Sequence, residues 1–166
     1  MQIKWHKLND KATIPTKREE DAGFDIYTIE DNIVLQPFEK RLFSTGIAAA
    51  PEKGYWLMAF DRGSTGSKGI HTHCGIIDNG YRGEIFICLI NDNPMTPVYF
   101  TSKVQKIEMK ATEPYGIVLC YPTSKAIAQI IPMVQPTVES FEVNDEEWTN
   151  ELNTERGAGK LGASGK

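Results

Sequence analysis

Short runs of Ile, Val, Phe and Tyr recur along this sequence, each cut off by Gly, Pro, Asn or Asp, and no long segment carries a helical repeat. Residues 24–29, 33–35, 41–45, 55–60, 85–90, 104–109, 117–121 and 127–134 read as strands. β-branched and aromatic side chains suit a pleated, half-buried surface. Regularly spaced short strands predict an all-β class, with a distorted jelly-roll barrel or sandwich as the architecture. The run at 85–90 is apolar on both faces, so it is expected inside the fold or against a neighbouring subunit. A length of 166 residues suits one domain with a sizeable core.

The character changes near Pro136. An acidic run at Asp145-Glu146-Glu147 is followed by a polar stretch and a glycine-rich end, Arg156 to Lys166, with four glycines in eleven residues. Residues 1–135 are therefore read as the folded domain and 136–166 as a C-terminal arm, whose glycine-rich end from Arg156 is expected to be mobile without a ligand. Residues 93–116 form an irregular stretch with Pro94, Pro97 and Pro114, expected to be an insertion with some structure of its own. The formal net charge of −4 excludes the broad basic surface that duplex binding needs, but not a small basic pocket. Three cysteines without C-x-x-C spacing argue against a disulfide framework and for a reducing, cytoplasmic setting. The first residues carry no apolar signal core, and no apolar run is long enough to span a membrane.

Four segments carry candidate chemistry. In Asp21-Ala22-Gly23-Phe24-Asp25 a turn enters a strand, and Asp25 can satisfy backbone donors or hold a cation's water. Asp61-Arg62-Gly63-Ser64-Thr65-Gly66-Ser67-Lys68-Gly69 follows an apolar strand; its small residues admit an anion and Arg62 can fork onto phosphate oxygens. Gly75-Ile76-Ile77-Asp78-Asn79-Gly80-Tyr81-Arg82-Gly83 places Asp78 at a tight turn and Tyr81 where its flat face can meet a sugar or base. The tail is no P-loop, since Gly-Lys is never followed by Ser or Thr. It reads instead as an arm whose Arg156 and free N–H groups could close over a polyphosphate.

Taken in order, these segments resemble the five motifs of the trimeric, all-β dUTPase family. Ala22-Gly23-Phe24-Asp25 resembles the first motif and Arg62-Gly63-Ser64 the second. Residues 75–83 resemble the third closely, Ile127-Ala128-Gln129-Ile130-Ile131 the fourth, and residues 156–165 the fifth. The insertion resembles that of some bacteriophage members. Departures are Gly63 where Ser is usual, Asp61 where Pro or Ala is common, and Leu161 in place of the Phe that stacks on uracil. With Leu161, a ring-on-ring contribution of about 0.5–1.5 kcal/mol is lost.

The resemblance implies hydrolysis of dUTP to dUMP and pyrophosphate by water attack on the α-phosphorus, limiting uracil in DNA and supplying dUMP for dTMP synthesis. It implies Asp78 as the catalytic residue that orients and deprotonates the water. Arg62, Gly63, Ser64, Thr72, Gly75, Ile77, Tyr81, Gln129, Arg156, Leu161, Gly162 and Ser164 are the implied substrate contacts. It further implies Mg2+ held by the triphosphate, with Asp25 reaching it only through water, and a homotrimer with sites at subunit boundaries. A hairpin around residues 72–76 is expected to pair with the uracil edge. No membrane and no direct nucleic-acid contact is expected, and the 93–116 insertion, which also reads as a tolerated surface loop, is the candidate site for a protein partner. Three rivals stand beside this reading: zinc at His71, His73 and Cys74; a dCTP deaminase relative; and a dUTP-sensing or regulator-binding protein with weak catalysis.

Overall fold

The computed structural model describes residues 1–154, 157 and 158. They belong to two units, Met1–Gln135 and Pro136–Lys166. The first carries thirteen strands among the described residues: β1 (Ile3–Lys7), β2 (Phe24–Ile26), β3 (Ile33–Leu35), β4 (Lys40–Ser44), β5 (Ile47–Pro51), β6 (Tyr55–Phe60), β7 (Ile70–His73), β8 (Ile76–Ile77), β9 (Phe86–Asn91), β10 (Val98–Thr101), β11 (Glu108–Thr112), β12 (Gly116–Pro122) and β13 (Ala128–Val134). One helical turn, α1 (Gly63–Gly66), follows β6.

The strands form four sheets, in the orders β1-β5, β11-β12-β10-β3, β2-β13-β6-β8 and β4-β9-β7. All pairings are antiparallel except β10 with β12. That exception follows from the connection: the chain leaves β10, folds back as β11, and returns antiparallel to it as β12. Inward-facing residues of the sheets meet in a main core, and Val104, Val118 and Cys120 form a smaller second cluster. Phe100 of β10 packs on Phe43 of β4 at 4.8 Å and on Tyr121 of β12 at 5.4 Å, both tilted, and all three are fully buried. Tilted ring pairs at such spacing tie sheet to sheet beyond their area burial.

Three expectations change. Residues 93–116 are not peripheral throughout, because β10 lies inside them with Val98 and Phe100 fully buried between β3 and β12. The strand expected at 104–109 is instead β11, and Met109 and Ile117 share an exposed face of its pair with β12. The run at 85–90 is buried on one face only. Ile87 and Leu89 point inward while Phe86, Cys88 and Ile90 are exposed or half-buried.

In the second unit, the acidic run opens a short helix, α2 (Asp145–Glu151). Asn144 caps it by accepting from the N–H groups of Glu146 (3.0 Å) and Glu147 (2.9 Å), and the Glu147 carboxylate accepts from Asn144 N–H at 3.0 Å. Carboxylates in a first turn also complement the helix dipole.

Candidate functional site

The second-motif segment leaves β6 as Asp61-Arg62-Gly63-Ser64 and turns at once into α1. The turn is held by Thr65, whose buried hydroxyl accepts from Arg62 N–H at 3.0 Å. Beside it, β13 lies between β2 and β6, with Gln129 opposite both Asp25 and Phe60. The result is a cleft of about 680 Å³ whose lining includes Lys17, Arg18, Asp25, Arg62, Ser64 and Gln129. Arg62 forks onto Asp25, Nε to Oδ1 at 2.8 Å and Nη2 to Oδ2 at 3.0 Å. Its remaining nitrogen, Nη1, donates to Ser64 Oγ and to the Ala126 carbonyl, both at 3.2 Å. That carbonyl also accepts from the buried Tyr121 hydroxyl at 2.7 Å. Burial raises the Tyr121 pKa, so this phenol remains a donor. Gly63 is exposed with open space where a Cβ would stand, so a serine there would meet no obstacle. Gln129 Nε2 donates to the Asp61 carbonyl at 2.7 Å, fastening β13 to the end of β6.

Asp61 does not crowd this cleft with negative charge. Its carboxylate accepts from Thr72 N–H at 2.5 Å and lies 2.8 Å from His71 Nδ1. Burial acts to raise its pKa, but hydrogen bonds from His71 and Thr72 outweigh burial and hold it below the ordinary value of 3.8. A depressed carboxylate contributes stability that is present above its unfolded pKa and is lost as pH falls through the folded one. Asp61→Asn is therefore expected to lower the melting temperature at pH 7. The difference from the parent should close in acid, below about pH 3.8. Melting curves across pH check this; a constant difference down to acid would oppose it.

The third motif builds a second cleft. After β8 the chain turns at Asp78–Tyr81, with Tyr81 N–H donating to the Asp78 carbonyl at 3.1 Å. Asn79 anchors that turn through Nδ2 to the carbonyls of Glu52 (2.9 Å) and Tyr55 (2.6 Å). The Tyr81 hydroxyl donates to the Glu84 carbonyl at 2.8 Å, laying the ring across Gly83, where a Cβ would come within 2.7 Å of the ring. The Glu84 carboxylate is held by Ser44 Oγ and by Gly46 N–H. These contacts shape a cleft of about 250 Å³ lined by Cys74, Ile76, Ile77, Asp78, Tyr81 and Phe86, among others. Asp78 is exposed, and no group among the described residues hydrogen-bonds its carboxylate. Around it, Leu42, Ile76 and Phe86 are also exposed, 58%, 68% and 45% respectively. Exposed apolar groups clustered at a cleft mark a surface that ligand or protein covers.

The segment at 72–76 is not a hairpin. β7 pairs with β9 while β8 pairs with β6, so the chain switches sheets at a corner. Cys74 takes the left-handed conformation there (φ 54°). The Thr72 N–H and the Gly75 carbonyl are already used, the latter by Ala59 N–H at 2.8 Å, but Cys74 enters no backbone hydrogen bond among the described residues. Gly75 has no room for a side chain, because a Cβ would lie 2.5 Å from the Ala59 carbonyl oxygen. Gly75→Ala must therefore displace two backbones that are bonded to each other. Its expected cost is about 1–3 kcal/mol by urea unfolding, with a raised KM for substrate; an unchanged midpoint would contradict the close approach.

Thr72 and Gly75 line a third cleft, of about 590 Å³, which shares Gln129 with the first and Cys74 with the second. The structure thus gathers Asp25, Arg62, Gly63, Ser64 and Gln129 in one place and Ile77, Asp78 and Tyr81 in another, with no lining residue in common. Arg156, Leu161, Gly162 and Ser164 lie outside the described residues. Sequence reasoning missed Lys17 and Arg18, although a basic pair just ahead of Asp21-Ala22-Gly23 was the available signal. It also missed the Ala126 carbonyl, which nothing in the side-chain pattern announces. Among the described residues, no three His, Cys, Asp or Glu side chains converge as metal ligands, which leaves zinc at His71, His73 and Cys74 without support.

Comparison with known proteins places this geometry. The dUTPase family profile matches residues 9–103. The deoxyuridine 5'-triphosphate nucleotidohydrolase of Nautilia profundicola is 34% identical over the whole of both chains. That of Nocardia farcinica is 41% identical over 58% of this chain and 60% of its own. Among solved structures, the dUTPase of Staphylococcus bacteriophage 80alpha with dUpNHpp superposes at a TM-score of 0.77, with 26% identity over 99% of each chain. The dUTPase of phage phi11 of S. aureus, noted for a species-specific insert, shares the fold at a TM-score of 0.68, over 87% of this chain and 97% of its own. No helix among the described residues is long and apolar enough to cross a membrane. With the motifs in order, the clefts they build and a full-length relative at 34% identity, this chain belongs to the dUTPase family.

Proposed function

We propose that this chain hydrolyses dUTP to dUMP and pyrophosphate, with water attacking the α-phosphorus. Family membership supports the substrate. The observation that carries the chemistry is Asp78: a carboxylate with no hydrogen-bond partner among the described residues, on an anchored turn, in the same cleft as Tyr81. Such a group is free to accept a proton from water, and a positioned general base contributes about 10²–10⁴-fold in rate.

The nucleoside occupies the 250 Å³ cleft, with Tyr81 under the sugar where a 2′-hydroxyl would not fit. Uracil is read at the corner, where Cys74 N–H and C=O, unbonded among the described residues, can pair with its edge. Cytosine presents a swapped donor and acceptor and would leave buried groups unpaired at about 1–3 kcal/mol each. The triphosphate lies in the cleft of Arg62, Ser64 and Gln129, where positive charge and open backbone stabilise the charge that develops in the transition state.

The two clefts share no residue, and the apolar rim of the nucleoside cleft is uncovered in one chain. Both facts support a homotrimer in which one protomer supplies the nucleoside cleft and a neighbour the phosphate cleft. Residues 136–166 then act as an arm that completes a neighbour's site. Magnesium fits as an ion held by the triphosphate, because the described residues offer no cage and both Asp25 oxygens face Arg62. When bound it would neutralise phosphate charge, with Asp25 holding one of its waters.

A pyrophosphate-release assay with magnesium across dUTP, dTTP, dCTP and UTP tests the reading. Turnover confined to dUTP supports it. Ammonia from dCTP, or no turnover of any of the four, overturns it.

A further inference from the structure

By sequence Asp61 belongs to the second-motif segment, one residue before Arg62, yet among the described residues it does not line the phosphate cleft. It lines the third cleft, together with Phe60, Thr72, Cys74, Gly75 and Gln129. Its carboxylate reaches β7 twice: Oδ1 accepts from Thr72 N–H at 2.5 Å, and Oδ2 lies 2.8 Å from His71 Nδ1. As an ion pair the contact with His71 counts for little, since both side chains are partly exposed and water screens them. What the carboxylate decides is position.

The corner at 72–75 is held at two ends, and both holds come from the end of β6. At the far end the Gly75 carbonyl accepts from Ala59 N–H at 2.8 Å, a bond made by backbone alone. At the near end Thr72 N–H goes to Asp61, so that hold depends on one side chain. Between them stands Cys74 in the left-handed conformation, with its N–H and C=O unbonded among the described residues. Groups that read a hydrogen-bonding edge must stay where they are, because a corner loose at one end can shift to suit the wrong edge. The Asp61 carbonyl is fixed separately, by Gln129 Nε2 at 2.7 Å. The backbone leading into Arg62 therefore does not rely on the carboxylate.

We propose that Asp61 is a positioning residue for base selection: its carboxylate fixes the Thr72 end of the corner, so that Cys74 accepts uracil and refuses cytosine. This rests on the reading above, in which the corner meets the uracil edge. The phosphates gain nothing from this carboxylate, although it stands next to Arg62 in the chain.

The test sets Asp61→Ala, which removes the acceptor, beside Asp61→Asn, which keeps an oxygen for Thr72 N–H. In Asp61→Ala, KM for dUTP and the inhibition constant of dUMP are expected to rise together by about tenfold, with dCMP inhibiting as in the parent. The preference for uracil over cytosine falls by the same factor. Loss of binding shared by ground and transition states leaves kcat unchanged, and binding of inorganic tripolyphosphate should also stay as in the parent. Asp61→Asn should restore most of the uracil preference even where its melting temperature is lowered, which separates position from stability. A parent-like uracil preference in Asp61→Ala overturns the proposal. So does a loss confined to dUTP and tripolyphosphate, which would assign Asp61 to the phosphates. If Asp61→Ala does not fold, His71→Ala, which frees the carboxylate of one partner, should lower the preference in the same direction; a parent-like preference there overturns the proposal equally. If the parent fails to turn over dUTP, the functional reading falls. Calorimetric binding of dUMP and dCMP to the parent and Asp61→Ala then decides on Asp61 separately, and a parent that does not prefer dUMP overturns it.

Discussion

Asp78→Asn is expected to reduce dUTP turnover about a hundredfold or more while dUTP still binds, because it removes the base and little else. The substitution keeps the shape of the side chain but withdraws its ability to take a proton. Asp78 is exposed and its carboxylate is bonded to nothing among the described residues, so the folded state loses no contact. The turn itself is held by Asn79 Nδ2 on the Glu52 and Tyr55 carbonyls and by Tyr81 N–H on the Asp78 carbonyl, all of which survive. The melting temperature should therefore match the parent's, and the fall should appear in kcat rather than in KM. Single-turnover rates with equilibrium binding of a non-hydrolysable dUTP analogue separate the two. Parent-like turnover in Asp78→Asn would falsify the assignment of the base.

Ending the chain after Thr154 should have an effect of the same order. The truncation removes Arg156 and the glycine-rich run, which lie outside the described residues and whose part is inferred from their likeness to the family's fifth motif. Physically, an arm that closes over a triphosphate excludes water and adds a cation to the developing charge; loss of such closure costs on the order of a hundredfold in rate. Because residues 1–135 form a unit of their own, the truncated chain should unfold with the same midpoint as the parent. Pre-steady-state release of pyrophosphate measures the loss. Undiminished turnover would show that the tail is dispensable and that the two clefts suffice.

The strands legible in the sequence were those with unbroken apolar or alternating runs. β3 and β6 have the bounds that the pattern predicts, and β13 lacks only the first residue of its run. Five others were illegible for identifiable reasons. β1 mixes Lys and His with its apolar residues, β5 is largely alanine, β7 alternates with polar His and Thr, and β8 is two residues long. β10 lies between Pro97 and a polar turn and looked like part of an insertion. All five owe their extended form to partners distant in sequence, such as β5 for β1 and β3 for β10. Such pairings carry no local signature, since strand preference is mostly a matter of neighbours.

Of the site, residue types and their order were readable because chemistry dictates them locally. A turn needs Asn79-Gly80, an anion loop needs small residues, and a base needs a carboxylate. Those features sufficed to bring the chain to its family and to single out Asp78. What no local pattern could supply was the state of each charge. Arg62 meets Asp25 across 37 residues and Asp61 meets His71 and Thr72 across 10 and 11, so which carboxylates are occupied follows from how the sheets cross. The same crossing makes residues 72–76 a corner instead of a hairpin. Electrostatic pairing depends on distance in space, and only the packed chain sets that distance.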